Sequence, residues 1–182
     1  ASGSSNTIKI WEVATGNELR TLTGHSLLVF SVVYSPDGRY LASGSSNSII
    51  IWEVATGKGL RILTGHSSEV LSVVYSPDGR YLASGSYDNT IKIWEVATGT
   101  ELRTLTGHSG SIWSVAYSPD GRYLASGGDD DTIKIWEVAT GKQLRTLTGH
   151  SSPVYSVVYS PDGRYLASGS GDKTIKIWRV GQ

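Results

Sequence analysis

Four histidines in near-identical surroundings are the side chains of this sequence best suited to catalysis or metal binding. His25, His66, His108 and His150 each follow a Thr-Gly pair, at spacings of 41, 42 and 42 residues. A neutral imidazole can act as a general base or ligate a metal ion. An active site is assembled once, however, whereas this arrangement recurs along the chain. The repetition therefore indicates a structural role for the histidines.

The histidines belong to a repeat that covers the whole chain. Tryptophans follow the same step of 41 or 42 residues, at Trp11, Trp52, Trp94, Trp136 and Trp178. Repeats of this length are typical of arrays in which each unit buries its apolar faces against its neighbours. We expect a partial unit at 1–24, complete units at about 25–65, 66–107 and 108–149, and a partial unit at 150–182.

The residues of one unit predict four short strands and no helix. Ser76-Pro77-Asp78-Gly79 suits a type I turn, because proline fixes φ and glycine tolerates the last position. Tyr87-Asp88-Asn89 and Ala97-Thr98-Gly99 mark two further turns. The strands between them, rich in Val, Ile, Tyr, Trp and Thr, are expected at about 70–75, 81–85, 91–96 and 101–105.

These residues resemble the WD-repeat family, whose unit runs from a Gly-His pair to a Trp-Asp pair over about this length. Glu replaces Asp after the first four tryptophans, and Arg179 follows the last one. The resemblance implies an all-β fold, a β-propeller of four-stranded antiparallel blades, with about four blades per chain. We predict no catalytic site, no cofactor and no metal.

The resemblance also assigns the recurring polar residues to a buried hydrogen-bonded chain in each blade. Such a chain satisfies donors whose burial without a partner costs about 1–3 kcal/mol each. The matching sets are His66, Ser84, Asp88 and Trp94; His108, Ser126, Asp130 and Trp136; and His150, Ser168, Asp172 and Trp178. The blade with His25, Ser43 and Trp52 has a shorter turn, and Ser46 stands where the carboxylate belongs. We expect that blade to be the loosest of the complete ones.

Other candidate ligand motifs fail. Thr56-Gly57-Lys58 and Thr140-Gly141-Lys142 lack the earlier glycine of a phosphate loop. Asp129-Asp130-Asp131 lacks the alternating ligands and bidentate glutamate of a calcium loop. The arginines of the recurring Arg-Tyr-Leu and Leu-Arg-Thr motifs are expected to pair with recurring acids.

Positions that differ between such similar units are those that the fold does not dictate. The resemblance places two variable regions at the top mouth of the propeller channel, where partners dock, and large aromatic residues there are typical of binding hot spots. The alternative is that these residues only pack around the channel entrance or drifted after duplication. The variable positions are Leu28, Glu69, Ser111 and Pro153; Phe30, Leu71, Trp113 and Tyr155; and Tyr87 with its counterpart Asp129.

The two ends of the chain are out of phase with a blade, and each leaves a partial unit. A sheet that is apolar on both faces needs a neighbour on each side, so the ring should close. We predict a two-fold homodimer of eight blades, in which each chain lends its N-terminal fourth strand to the other chain's last blade. A ten-bladed dimer that uses both partial blades is the rival.

Composition narrows the function. The chain has 16 basic and 16 acidic residues and no cysteine, so nucleic acid and membrane surfaces are not expected as partners. No apolar run or leader is evident, and we expect a cytoplasmic location. The favoured function is a non-catalytic scaffold that binds protein or peptide at the top mouth. The alternative is an engineered or recently amplified repeat array with no dedicated ligand.

Overall fold

The computed structural model describes residues 1–180, which form β-strands and turns in five antiparallel sheets. No helix in that range could cross a membrane. The three middle sheets have four strands, and the first and fifth have three. In chain order the strands are β1 (Ser2–Gly3), β2 (Thr7–Trp11) and β3 (Glu18–Thr23); β4 (Val29–Tyr34), β5 (Tyr40–Ser45), β6 (Ser48–Glu53) and β7 (Gly59–Thr64); β8 (Val70–Tyr75), β9 (Tyr81–Ser86), β10 (Thr90–Glu95) and β11 (Glu101–Thr106); β12 (Ile112–Tyr117), β13 (Tyr123–Gly128), β14 (Ile133–Glu137) and β15 (Gln143–Leu147); and β16 (Val154–Tyr159), β17 (Tyr165–Ser170) and β18 (Ile175–Arg179). The predicted all-β fold of repeated four-stranded antiparallel sheets is confirmed.

The turn between the first two strands of each four-stranded sheet follows from its sequence. In the third sheet, Gly79 N donates to Ser76 O at 2.9 Å, and Gly79 has a φ of +72°. The Ser76 hydroxyl donates to Asp78 Oδ1 at 2.6 Å and accepts from Tyr81 N at 2.9 Å. These bonds fix the hairpin within one β-turn, because they satisfy backbone and side-chain groups locally.

Successive sheets stack face to face, with the strands β4, β8, β12 and β16 innermost and adjacent. Each sheet has a forward face, toward the next sheet, and a backward face, toward the preceding one. On the forward face of the second sheet, Ile49, Ile51 and Leu63 pack against Val73 and Trp94 of the third. The third and fourth sheets repeat this arrangement. The core therefore lies between sheets, and no sheet has a core of its own.

A close contact at one glycine sets the distance between sheets. A Cβ on Gly85, in the second strand of the third sheet, would lie 2.6 Å from Ile112 Cγ2, the side chain that begins the next innermost strand. Gly44 meets Val70 and Gly127 meets Val154 in the same way, at 2.8 and 2.7 Å. We refer to this as the glycine contact. It lets the two backbones approach closely where a larger residue would hold the sheets apart.

Polar bonds cross the same junctions. Val73 N donates to Ser31 Oγ at 3.1 Å, and Val115 N donates to Ser72 Oγ at 3.2 Å. The arginines of the Leu-Arg-Thr motif also bridge sheets. Arg20 donates to Ala55 O at 3.0 Å, and Arg103 donates to Ala139 O. Arg20 and Arg103 therefore bond to turn carbonyls of the following sheet and not to the recurring acids expected for the Leu-Arg-Thr motif. In the last Arg-Tyr-Leu motif, Arg164 does pair with an acid, because its Nε donates to Asp162 Oδ2 at 2.6 Å.

The two ends of the array differ in how much apolar surface they leave open. The first sheet covers the backward face of the second with Ile8, Ile10 and Leu22, all buried. The forward face of the fifth sheet is uncovered: Ile175 and Ile177 are 77% and 66% exposed. Within residues 1–180, β3 pairs with β2 and not with β18. Within the described residues, the array of sheets therefore stays open at its fifth sheet.

The glycine contact yields a stability prediction. We expect Gly85→Ala to lower the free energy of unfolding by about 1–3 kcal/mol, because the added methyl group meets Ile112 and the sheets must separate. Gly59→Ala is the matched control, since a Cβ there would find Ile50 Cγ2 at an ordinary 3.6 Å. Urea unfolding of both variants checks this. Equal midpoints would contradict the claim that Gly85 sets the spacing.

Candidate functional site

A buried chain of hydrogen bonds crosses the third sheet from its third strand to the loop before its first. Trp94 Nε1 donates to Ser84 Oγ at 2.8 Å, and Ser84 Oγ lies 2.7 Å from His66 Nε2. His66 Nδ1 lies 2.7 Å from Asp88 Oδ2. Each donor is satisfied once if His66 carries its proton on Nδ1 and the Ser84 hydroxyl donates to Nε2.

The fourth and fifth sheets contain the same chain. The tryptophan-to-serine bonds, Trp136 to Ser126 and Trp178 to Ser168, are 2.8 Å long. The serine-to-histidine distances, for Ser126 with His108 and for Ser168 with His150, are 2.7 and 2.8 Å. The closest histidine-to-aspartate distances, for His108 with Asp130 and for His150 with Asp172, are 2.9 and 2.7 Å.

This burial argues against nucleophilic chemistry at these serines. Ser84 and Ser126 are fully buried, and each hydroxyl is already bonded to a tryptophan and a histidine. A nucleophile must reach its substrate, which these hydroxyls cannot do. Each chain instead ties the loop before the first strand to the second and third strands of its sheet.

The second sheet carries an incomplete chain. His25 Nε2 lies 2.6 Å from Ser43 Oγ, which accepts from Trp52 Nε1 at 2.8 Å. Among residues 1–180 no carboxylate bonds to His25 Nδ1, and the shortened turn places Ser46 at a φ of +36°. That this sheet is the loosest of the complete ones stays a prediction.

Burial sets the charge state of these groups. Burial lowers the pKa of His25, His66 and His108, although the neighbouring aspartates of the last two oppose the shift. Burial acts to raise the pKa of Asp88, but hydrogen bonds from Thr90, His66 and Ser67 outweigh it and the pKa lies below its usual value. The chain is therefore built on a neutral imidazole and an ionised carboxylate.

A β-bulge shapes the variable mouth. In the innermost strand of the fourth sheet, Ile112 pairs with Gly128 and Ser114 pairs with Gly127, so Trp113 is the extra residue. The same shift in the other innermost strands makes Phe30, Leu71 and Tyr155 the extra residues. A bulged residue has no partner in the ladder, so its side chain is free to turn toward the mouth. This bulge could not be predicted from the sequence, because it depends on how neighbouring strands pair.

Three aromatic side chains from three sheets form a row at the predicted mouth. Tyr87 and Trp113 make an edge contact with ring centres 5.3 Å apart, and Trp113 and Tyr155 make another at 5.4 Å. Tyr87 and Tyr155 are exposed, and Trp113 Nε1 donates to the exposed carboxylate of Asp129. We call Tyr87, Trp113 and Tyr155 the aromatic row.

Backbone bonds bring the two predicted variable regions together. Tyr87 N donates to Glu69 O at 3.0 Å, and Asp129 N donates to Ser111 O at 2.9 Å. Gly171 N donates to Pro153 O at 2.9 Å in the fifth sheet. Each loop before an innermost strand therefore lies against the turn between the second and third strands of its own sheet.

The predicted mouth residues differ in what they expose. Leu28 and Phe30 are exposed on the second sheet, and Glu69 and Pro153 are half-buried. Leu71 is only 6% exposed and Ser111 only 9%, so neither offers much side chain to a partner. Leu71 is the smallest of the four bulged side chains and packs inward. The aromatic row, together with Leu28 and Phe30 of the second sheet, thus makes up the exposed apolar part of the predicted mouth.

Two acidic residues lie next to this row. The Asp129 carboxylate accepts from Trp113 Nε1, and the backbone carbonyl of Glu69 accepts from Tyr87 N. Asp131 follows in the same turn as Asp129, and Lys173 is its counterpart in the fifth sheet. Hydrogen bonding from the Ser68 hydroxyl lowers the pKa of Glu69, which therefore remains ionised in mildly acidic solution. Within the described range, no group of three or more His, Asp or Glu side chains is arranged to hold a metal ion. Asp129 and Asp130 point to different partners, Trp113 and His108.

Because the histidines are buried and neutral, we predict that the protein loses stability in mild acid. Unfolded histidine has a pKa near 6.5, and burial lowers the pKa of His66 in the fold. The unfolded state then binds more protons below about pH 6.5, so stability falls as pH drops from 7.5 to 5. Urea midpoints across this range should decrease, and His66→Gln should decrease less steeply. A flat wild-type profile would contradict the neutral, buried imidazole.

Comparison with known families agrees with this geometry. A family model described as the WDR3 first beta-propeller domain matches residues 1–180. The resemblance to WD-repeat proteins is therefore confirmed, and the match points to no enzymatic family. The repeated sheets, their stacking and the match together show that the chain belongs to the WDR3 first beta-propeller domain family, which is of the WD-repeat type.

Proposed function

We propose that this protein is a non-catalytic interaction scaffold that binds a segment of another protein at its top mouth. Membership of a propeller family of the WD-repeat type supports the scaffold role. The observation that carries the choice of surface is the aromatic row, in which Tyr87, Trp113 and Tyr155 present contiguous rings from three sheets. Tyrosine and tryptophan supply much contact area at little cost in side-chain entropy.

The charges beside the row select the kind of segment. Asp129 offers a carboxylate in contact with the row, and Glu69 is a second acidic residue whose backbone carbonyl bonds to Tyr87 N. Aromatic faces attract cations by about 0.5–1 kcal/mol at exposed sites. The Asp129 carboxylate accepts the Trp113 indole N–H, which increases the electron density of that ring. A peptide with a lysine or arginine flanked by apolar residues therefore matches the mouth best.

We also propose that a second copy of the chain completes the ring. Full burial of a valine or isoleucine side chain stabilises by about 1.5–3 kcal/mol. Val158, Ile175 and Ile177 are all exposed on the forward face of the fifth sheet. Covering them offsets much of the cost of association, about 4–15 kcal/mol. The eight-bladed homodimer is the proposed assembly, and the ten-bladed dimer is its rival.

Binding at the mouth is tested with an immobilised peptide library in which each peptide exists in a lysine and a glutamate version. We expect the chain to retain lysine peptides over their glutamate versions, and the Trp113→Ala, Tyr155→Ala double variant to retain at least tenfold less. The Leu102→Ala, Leu144→Ala double variant, altered at exposed leucines on outer strands, should bind like the wild type. Retention of no peptide, or equal retention by both double variants, contradicts a binding mouth and favours an array without a dedicated ligand.

Ring closure by a second copy is tested by native mass spectrometry. We expect a species of twice the 19.5 kDa of one chain, and Ile177→Glu should shift it to the single chain because a charge then lies in the interface. Ile62→Glu is the matched control, since both isoleucines are 66% exposed but Ile62 lies on an outer strand. A wild-type chain that stays single at micromolar concentration contradicts the proposal.

A further inference from the structure

The first and fifth sheets present the same residues at equivalent places. Ser2-Gly3-Ser4 in the first sheet corresponds to Ser168-Gly169-Ser170 in the fifth. The following strands both read Thr-Ile-Lys-Ile-Trp, at 7–11 and at 174–178. In both sheets the tryptophan indole donates to that serine, at 3.0 Å for Trp11 and 2.8 Å for Trp178. Both β1 with β2 and β17 with β18 therefore have the side chains needed to cover the backward face of the second sheet in a chain.

The glycine contact distinguishes the two sheets. A Cβ on Gly3 would lie 2.8 Å from Val29 Cγ1, so the first sheet already makes this contact with the second. Gly169 occupies the equivalent place in the fifth sheet, and nothing described lies within 4 Å of its Cβ position. The fifth sheet thus carries an empty place for the side chain of Val29, or of a residue equivalent to it.

The hydrogen bond from a valine N–H to a serine hydroxyl, which links neighbouring innermost strands, lacks a partner at each end of the described array. Ser31, Ser72 and Ser114 each accept from a valine N–H of the next innermost strand. Ser156, the fourth in this series, is exposed and accepts no such bond within residues 1–180. Val32 N–H is the matching donor, and the described part of the first sheet contains no innermost strand to meet it. Ser156 and Val32 are complementary ends of one repeating interaction.

We propose that residues 1–11 compete with a second copy of this chain for the backward face of the second sheet. This inference rests on the proposed dimeric ring and deepens it. In the dimer, β17 and β18 of one copy replace β1 and β2 of the other. The strand β3 stays in place, but it then pairs with β18 of the other copy instead of with β2 of its own chain. Val29 then enters the place at Gly169, and Val32 N–H donates to Ser156 Oγ.

The exchange explains why the eight-bladed ring is favoured over its ten-bladed rival. In a ten-bladed ring the fifth sheet would face the outer side of the other copy's first sheet, which presents Lys9 and Trp11. Among residues 1–180, that side presents no residue equivalent to Val29 or Val32, so Gly169 and Ser156 would gain no partner from it. Only the second sheet of another copy supplies both groups at the spacing seen in the other junctions.

Matched substitutions at the two equivalent glycines test the exchange in the full chain. Gly3→Val disfavours the first sheet through its contact with Val29, so the dimer dissociation constant should fall at least tenfold. Gly169→Val fills an empty place in the single chain but blocks the exchange, so the constant should rise at least tenfold. Gly59→Gln, which copies the counterpart Gln143, is the control and should leave the constant unchanged. Sedimentation of a dilution series measures all three.

The outcomes separate this inference from the ring itself. A wild-type dimer that Gly3→Val weakens, or that Gly169→Val leaves unchanged, overturns the competition but retains the ring. A wild-type chain that remains single at micromolar concentration overturns both. Hydrogen exchange is a second readout: amides of residues 7–11 should exchange at least tenfold faster in the dimer than in the single chain. Peptide binding at the mouth is measured separately and decides neither outcome.

Discussion

The structure depends on the face-to-face stacking of sheets that cannot bury their apolar residues alone. Two features make the stacking specific: the glycine contact, as between Gly85 and Ile112, and the bond from a valine N–H to a serine hydroxyl of the preceding innermost strand. The glycine contact requires the two sheets to lie close together, and the valine-to-serine bond requires their innermost strands to be in register. Together they fix both the distance and the offset between sheets, which hydrophobic burial alone leaves free.

The polar chains serve the same architecture inside each sheet. A neutral His66 between Ser84 and Asp88 ties the loop before the first strand of the sheet to the turn between its second and third strands. This rigid support holds the loop next to the bulge, and the bulge turns a variable side chain such as Trp113 to the mouth. The constant residues therefore build the support, and the variable ones form the surface at which we propose that a partner binds.

Much of the fold could be predicted because turn residues mark the strand ends: strands expected at 70–75 and 81–85 lie at Val70–Tyr75 and Tyr81–Ser86. The polar sets came from the family resemblance, and the structure brings their members within hydrogen-bonding distance. The bulge was missed because it depends on pairing between strands, which a single strand does not encode. For the same reason the inward packing of Leu71 was missed. The partner of β3 was ambiguous because residues 7–11 and 174–178 are identical.

Hydrogen exchange of the three interlocking valine amides tests most directly whether stacking is the interaction on which the fold depends. The N–H groups of Val73, Val115 and Val157 each donate across a junction between sheets. If stacking is obligatory, these amides exchange only when the whole chain unfolds, and their opening free energies equal that from urea unfolding. Exchange as fast as that of amides in exposed turns would show that the sheets separate independently and would contradict the account.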